Sequence, residues 1–172
     1  LYPGESLLWL YEDVEPEKTL ATDASLQGFG MVMLKEYDRG KFPEWVKQQT
    51  NNIAQLELYT VVLALHLWGE KLTGKSVLIH CDNESSVALI NWGRSQDVWM
   101  QKCLREILFV AAKNDFMIKA RHIPGKENTL PDWLSRWDQK VEARERFTQE
   151  TQGKGFKRTK LQDWQFTFLH DW

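Results

Sequence analysis

Four carboxylates in this 172-residue chain stand where a plain fold has little use for them. Asp23 falls inside an extended run, Thr22-Asp23-Ala24-Ser25, although aspartate is depleted in strands. Glu57 shares a helical stripe with Val61, Ala64 and Trp68. A carboxylate on such a face is costly unless paired or bound to metal. Asp82 closes the apolar run Val77–Cys81 and precedes a helix; ligands of α/β sheets bind beyond the carboxyl ends of such strands. Asp132 lies in Thr129-Leu130-Pro131-Asp132. Each acid has a structural alternative: a turn residue, a first-turn glutamate favoured by the helix dipole, an N-cap and a capping box. These alternatives leave the ordered set of four unexplained. Clustered carboxylates suit hard cations such as Mg²⁺. Two such ions about 4 Å apart promote in-line phosphoryl displacement. His122 enters a loop of Pro, Gly and Asn. It is either a proton shuttle near a cleavage site or an ordinary polar loop residue.

The elements that must carry these residues follow from hydrophobic periodicity. Thr19–Ser25 and Gly28–Leu34 read as strands, with Phe42–Val46 as a candidate third. Ile53–Leu72 reads as a largely buried helix ended by Gly74, with apolar residues almost all round it. Val77–Cys81 reads as a buried strand, Glu84–Trp92 and Val98–Lys113 as helices, and Phe116–Ile123 as a strand. Pro124–Asn128 is a loop, and another helix begins near Leu130. The order βββ–α–β–α–α–β–α predicts an α/β fold with a mixed sheet and flanking helices.

Composition is that of a globular domain: 42% hydrophobic and 27% charged residues. Cys81 and Cys103 form no disulfide framework and no zinc spacing, which favours a reduced, intracellular setting. No apolar run is long enough to span a membrane. The net charge of −2 weakly opposes nucleic-acid binding. Carboxylates gathered around cations weaken that objection, because bound ions reverse the local charge.

Read together, Thr22-Asp23-Ala24-Ser25, Gln55-Leu56-Glu57-Leu58, Cys81-Asp82-Asn83, Arg121-His122-Ile123-Pro124-Gly125-Lys126-Glu127-Asn128 and Pro131-Asp132-Trp133-Leu134-Ser135-Arg136 resemble the RNase H domain of retroelement reverse transcriptases. The likeness is to the gypsy and DIRS types, and Ala88-Leu89-Ile90-Asn91 is similar to the DIRS type in particular. The resemblance spans about residues 18–137. It implies an RNase H-like five-stranded mixed sheet, three antiparallel strands and then parallel ones, with flanking helices. It implies an endonuclease that hydrolyses the RNA strand of RNA–DNA hybrids. Asp23, Glu57, Asp82 and Asp132 would hold two Mg²⁺ ions, with Mn²⁺ as a substitute, and His122 would complete the catalytic set. Ser25, Asn52, Gln55, Asn83 and Asn128 would contact substrate, Asn128 also ordering its loop. The partners implied are the hybrid and the polymerase domain of the same polyprotein, in an intracellular particle. A non-catalytic or domesticated domain of the same fold is the alternative function.

The chain also departs from that family. Polar residues expected before the catalytic glutamate are replaced by Ile53 and Ala54, the small residue before the last aspartate is Pro131, and only Gly93-Arg94-Ser95-Gln96 links two helices where a basic handle often stands. Outside the matched region, residues 1–17 read as a lead-in with an apolar knot at Leu7–Leu10. Residues 138–172 read as a charged and aromatic extension. Its Lys154, Lys157, Arg158 and Lys160 fit either a phosphate-tracking surface or a solvated linker. Trp164, Phe166, Phe168 and Trp172 share one parity, as in a strand.

Overall fold

In the computed structural model, residues 15–172 are described; the apolar knot at Leu7–Leu10 and most of the lead-in lie outside them. Strands β1 (Lys18–Ala24), β2 (Gly28–Met33) and β3 (Glu36–Lys41) form an antiparallel meander. Strands β4 (Ser76–Cys81) and β5 (Met117–His122) continue the sheet in parallel beyond β1. Among the described residues the sheet has six strands rather than five, in the order β5-β4-β1-β2-β3-β6. The sixth, β6 (Lys157–Arg158), comes from the extension and pairs in parallel with β3.

The third strand is Glu36–Lys41, not Phe42–Val46. Pro43 instead opens helix α1 (Glu44–Gln49), whose Val46 is buried. Its φ, fixed near the helical value, suits a helix start.

Helix α2 (Ile53–Trp68) carries a reciprocal capping box between Asn52 and Gln55 and continues as a tighter turn over Gly69–Leu72. It packs on β1 and against α4 (Val98–Lys113). Helix α3 (Glu84–Trp92), capped by Asn83, lies beside β5. Asn91 there exchanges two 2.9 Å hydrogen bonds with the Ala120 backbone, occupying part of the β5 edge.

Alternation along β2 separates two cores. Phe29, Met31 and Met33 enter the main core with α2 and α4. Val32 faces the opposite way, toward Leu134 of α5 (Thr129–Ser135) and Phe147 of α6 (Val141–Thr151). Gly28 and Gly30 share the Val32 face, so α5 rests directly on bare backbone.

The extension is folded onto this frame. Helix α6 packs on α5. Arg158 donates to the buried Asp38 at 2.8 Å, whose other oxygen accepts from the Leu161 amide. The chain then crosses to the main-core face. Phe168 meets Trp45, Tyr59 and Trp99, and the Tyr59 hydroxyl donates to the Phe166 carbonyl. The aromatic run is not a strand: Asp163–Phe166 form a 3-10 turn. Glu106 anchors its end, accepting from the Leu169 amide and the Trp172 indole.

Candidate active site

Two aspartates are brought together by the parallel pairing of β1 and β4. Ala21 is paired with His80, and two residues further along each chain stand Asp23 and Asp82. Period-two alternation turns both toward the same face of the sheet. Asp23 is also paired across β2 with Gly30, on the face that α5 covers. Helix α5 adds Asp132 in its first turn, and α2 brings Glu57 from the other side, where it accepts from the Ala24 amide. Asp23 interacts electrostatically with Asp82 and Asp132, and Glu57 with Asp23 and Asp82. The four acids, carried by four elements, are therefore linked electrostatically through Asp23.

Their electrostatics fit a cation site. Asp23 and Glu57 are each only 3% exposed. Burial, reinforced by Asp82 and Asp132, pushes the Asp23 carboxyl up to about 8 despite a hydrogen bond from Ser135. Burial and the neighbouring Asp23 and Asp82 raise Glu57 well above the ordinary value. Such groups resist ionisation unless a positive charge joins them. Arg136, donating to Asp132 at 3.0 Å, offsets only part of the repulsion. Ligand atoms of Glu57, Cys81 and Asp82 lie within 4.8 Å of one another. Burial pushes the Cys81 thiol up, and the other donors of the group are carboxylate oxygens. That donor set suits Mg²⁺ or Mn²⁺. Asp82 and Asp132 keep partial exposure, which opens the group to solvent.

His122 ends β5 opposite Cys81, next to Asp82. Its ring is exposed, with Nε2 3.2 Å from the Asp82 carbonyl and Nδ1 3.9 Å from Glu84. Gly125 in the following loop comes close to the Asp82 carboxylate: an added Cβ would lie 3.3 Å from it.

The five residues expected to touch substrate divide into two groups. Asn52 is exposed and Asn83 half-buried, both as helix N-caps. Ser25, Gln55 and Asn128 are buried and hydrogen-bonded within the protein. Ser25 ties the β1–β2 turn to the Ser135 carbonyl at 2.9 Å. Gln55 closes the α2 capping box and reaches Asp97 at 3.1 Å. Asn128 donates to the Thr22 carbonyl at 2.9 Å, pinning the loop to the strand residue that precedes Asp23. Sequence reasoning quoted Ser135 and Arg136 in a motif without giving them a role and did not single out Gln139 or Gly30; Ser135 and Arg136 bond to the acids, Gln139 supports Ser25, and Gly30 lets α5 approach. The paired glycines of β2 were the available signal, since glycine in a strand marks close approach of another backbone.

The fold has solved relatives. No family model matches the chain, and no curated protein matches it in sequence. Among known structures it is similar to LC11-RNase H1 in complex with RNA/DNA hybrid, with TM-score 0.56, 16% identity, and coverage of 69% of this chain and 93% of that one. RNase H1 from the halophilic archaeon Halobacterium salinarum matches at TM-score 0.55 and 12% identity, over 70% of this chain and 98% of its own. An N-terminal RNase H domain from Mycobacterium tuberculosis matches at TM-score 0.50 and 14% identity, over 78% and 99%. At these identities the likeness is one of fold, and the chain has the RNase H-like fold.

Proposed function

We propose that this protein is an endonuclease that hydrolyses the RNA strand of RNA–DNA hybrids, as part of a retroelement reverse transcriptase. The observation that carries the reading is the electrostatic contact of Asp23 with Glu57, Asp82 and Asp132, borne on separate elements, with Asp23 and Glu57 too buried to ionise easily alone. Two divalent cations held by these four acids would polarise the scissile phosphate and make water a better nucleophile, leaving a 3′-hydroxyl and a 5′-phosphate.

The protein's own residues supply the rest. Asp23 and Glu57 form the buried floor of the centre, while Asp82 and Asp132 form its open side toward solvent. His122, exposed beside Asp82, assists proton transfer to the leaving group or release of product. Asn52 and Asn83, at the starts of α2 and α3, contact the hybrid. RNA is selected through 2′-hydroxyls and minor-groove shape rather than base identity. The solved complex of the similar LC11-RNase H1 with an RNA/DNA hybrid supports this substrate class. The order Asp, Glu, Asp, His, Asp with Ala88-Leu89-Ile90-Asn91 supports the retroelement setting and a polymerase domain as neighbour in the same polyprotein.

The test is cleavage of a labelled hybrid with and without Mg²⁺, run beside Asp82→Asn. Asp82 is half-buried at a strand end, so the variant is expected to fold. Mg²⁺-dependent cleavage by the parent and none by the variant is the expected outcome. Undiminished cleavage by Asp82→Asn would falsify the proposed centre. A folded parent that binds no Mn²⁺, with or without hybrid, points instead to a non-catalytic domain of the same fold.

A further inference from the structure

Beyond the four acids, the last turn of α5 makes a direct polar contact with the centre through Ser135. Its hydroxyl lies 2.8 Å from Asp23 Oδ2 and 2.8 Å from the Asp132 carbonyl. A serine late in a helix ordinarily donates back to a carbonyl one turn earlier. Here a carboxylate competes for the same single proton. The charge-assisted bond is the stronger of the two once Asp23 is ionised. Ser135 is 2% exposed, so water is largely shut out of this contact.

Ser135 is itself held. Its carbonyl accepts from Ser25 Oγ at 2.9 Å, and Ser25 Oγ accepts from Gln139 Nε2 at 2.8 Å and from the Gly28 amide at 3.0 Å. The β1–β2 turn, the end of α5 and the segment leading to α6 therefore form one hydrogen-bonded chain that terminates on Asp23. The Ser135 contact fixes the direction of Oδ2, and the carboxylate keeps further lone pairs to meet a cation.

We propose that Ser135 is a positioning residue: it orients the Asp23 carboxylate for cation binding, and Ser25 and Gln139 hold Ser135 in place. The proposal rests on the nuclease reading above. Partners of this kind typically change metal affinity by about 10- to 100-fold.

The experiment compares the parent with Ser135→Ala by calorimetric Mn²⁺ titration, hybrid cleavage and thermal melting. Alanine is well tolerated in a helix, so the melt should stay cooperative. Mn²⁺ affinity is expected to fall about tenfold and kcat to fall with it, while KM for the hybrid stays unchanged. Unchanged Mn²⁺ affinity in the folded variant overturns the proposal. Should Ser135→Ala lose its cooperative melt, Gln139→Ala, at an exposed position, carries the same test with an expected loss of about two- to threefold, a fraction of the direct effect; unchanged affinity there is equally fatal. A parent that binds Mn²⁺ and cleaves hybrid, beside a variant equal to it, rejects the Ser135 role alone. A parent that does neither rejects the nuclease reading as well.

Discussion

Gly30 of β2 and Leu134 of α5 lie so close that a Cβ on Gly30 would sit 2.6 Å from the Leu134 Cβ and 2.7 Å from the Ser135 amide nitrogen. Neither neighbour is the end of a flexible side chain. Gly30→Ala must therefore push α5 off the sheet. Overpacking of this kind costs about 1–3 kcal/mol. Because α5 carries both Asp132 and Ser135, loss of hybrid cleavage is expected to exceed what the fall in stability accounts for. Chemical denaturation and cleavage rates measured below the melting range decide this. An unaltered cleavage rate would show that α5 docking does not tune the centre.

Much of this arrangement was legible in the sequence because buried strands and long amphipathic helices carry strong periodic signals. The positions of Asp23, Glu57, Asp82 and Asp132 on separate elements followed from those signals. The third strand did not. Glu36–Lys41 is almost wholly polar, and its hairpin turn places Leu34 at φ 55, where glycine or asparagine is the usual sign. Its polar residues are explained only by long-range partners: Asp38 by Arg158, and Arg39 by Trp137, over whose ring the guanidinium lies at 4.2 Å. The extension was opaque for the same reason. Its charges resemble a solvated linker until Arg158 finds Asp38 about 120 residues away in the chain. Likewise the inward turn of Ser25, Gln55 and Asn128 depends on partners from remote segments.

The pH response of the metal-free protein follows from Asp23. Its folded-state value is raised from 3.8 to about 8, chiefly by burial and then by Asp82. A raised value means a stability contribution present below the unfolded value and lost as pH climbs toward 8. Metal-free protein should lose about 2–4 kcal/mol from this group between pH 5 and 8. Asp23→Asn should flatten that slope, leaving the part due to Glu57, and should stabilise the metal-free protein at pH 8. Saturating Mg²⁺ should stabilise the parent at pH 8 and do so less for the variant. Urea unfolding in chelator at the two pH values measures it; parallel curves for parent and variant reject the assignment.

The opposite sign governs the end of the chain. Burial alone would raise Glu106, but hydrogen bonds from His66, the Leu169 amide and the Trp172 indole outweigh it and hold the carboxyl below its ordinary value. This contribution is present above about pH 4.5, the unfolded value, and is lost as pH falls through the lower folded value. The segment around Leu169–Trp172 should therefore detach in acid before the rest unfolds. Glu106→Gln should loosen it at neutral pH, at a cost of about 1–3 kcal/mol for the hydrogen bonds it weakens. Protease protection and tryptophan fluorescence of the parent and variant report the release. By the same geometry, removal of residues 138–172 takes away α6, β6 and the Phe168 packing. It should unfold the protein.

His122 offers the sharpest separation of chemistry from architecture. Its ring is exposed, and Nε2 lies 3.2 Å from the Asp82 carbonyl. His122→Ala removes little packing, so the melt should move by no more than about 0.5 kcal/mol, as for other surface changes. Mn²⁺ affinity should also persist, since none of the four acids is touched. If the imidazole assists proton transfer or product release, kcat for hybrid cleavage should still fall by about 100-fold. Single-turnover kinetics divide the two roles. A slow first turnover places His122 in the chemical step, and a normal first turnover with slow steady state places it in release. A kcat equal to that of the parent removes His122 from the mechanism while leaving the four-acid centre intact.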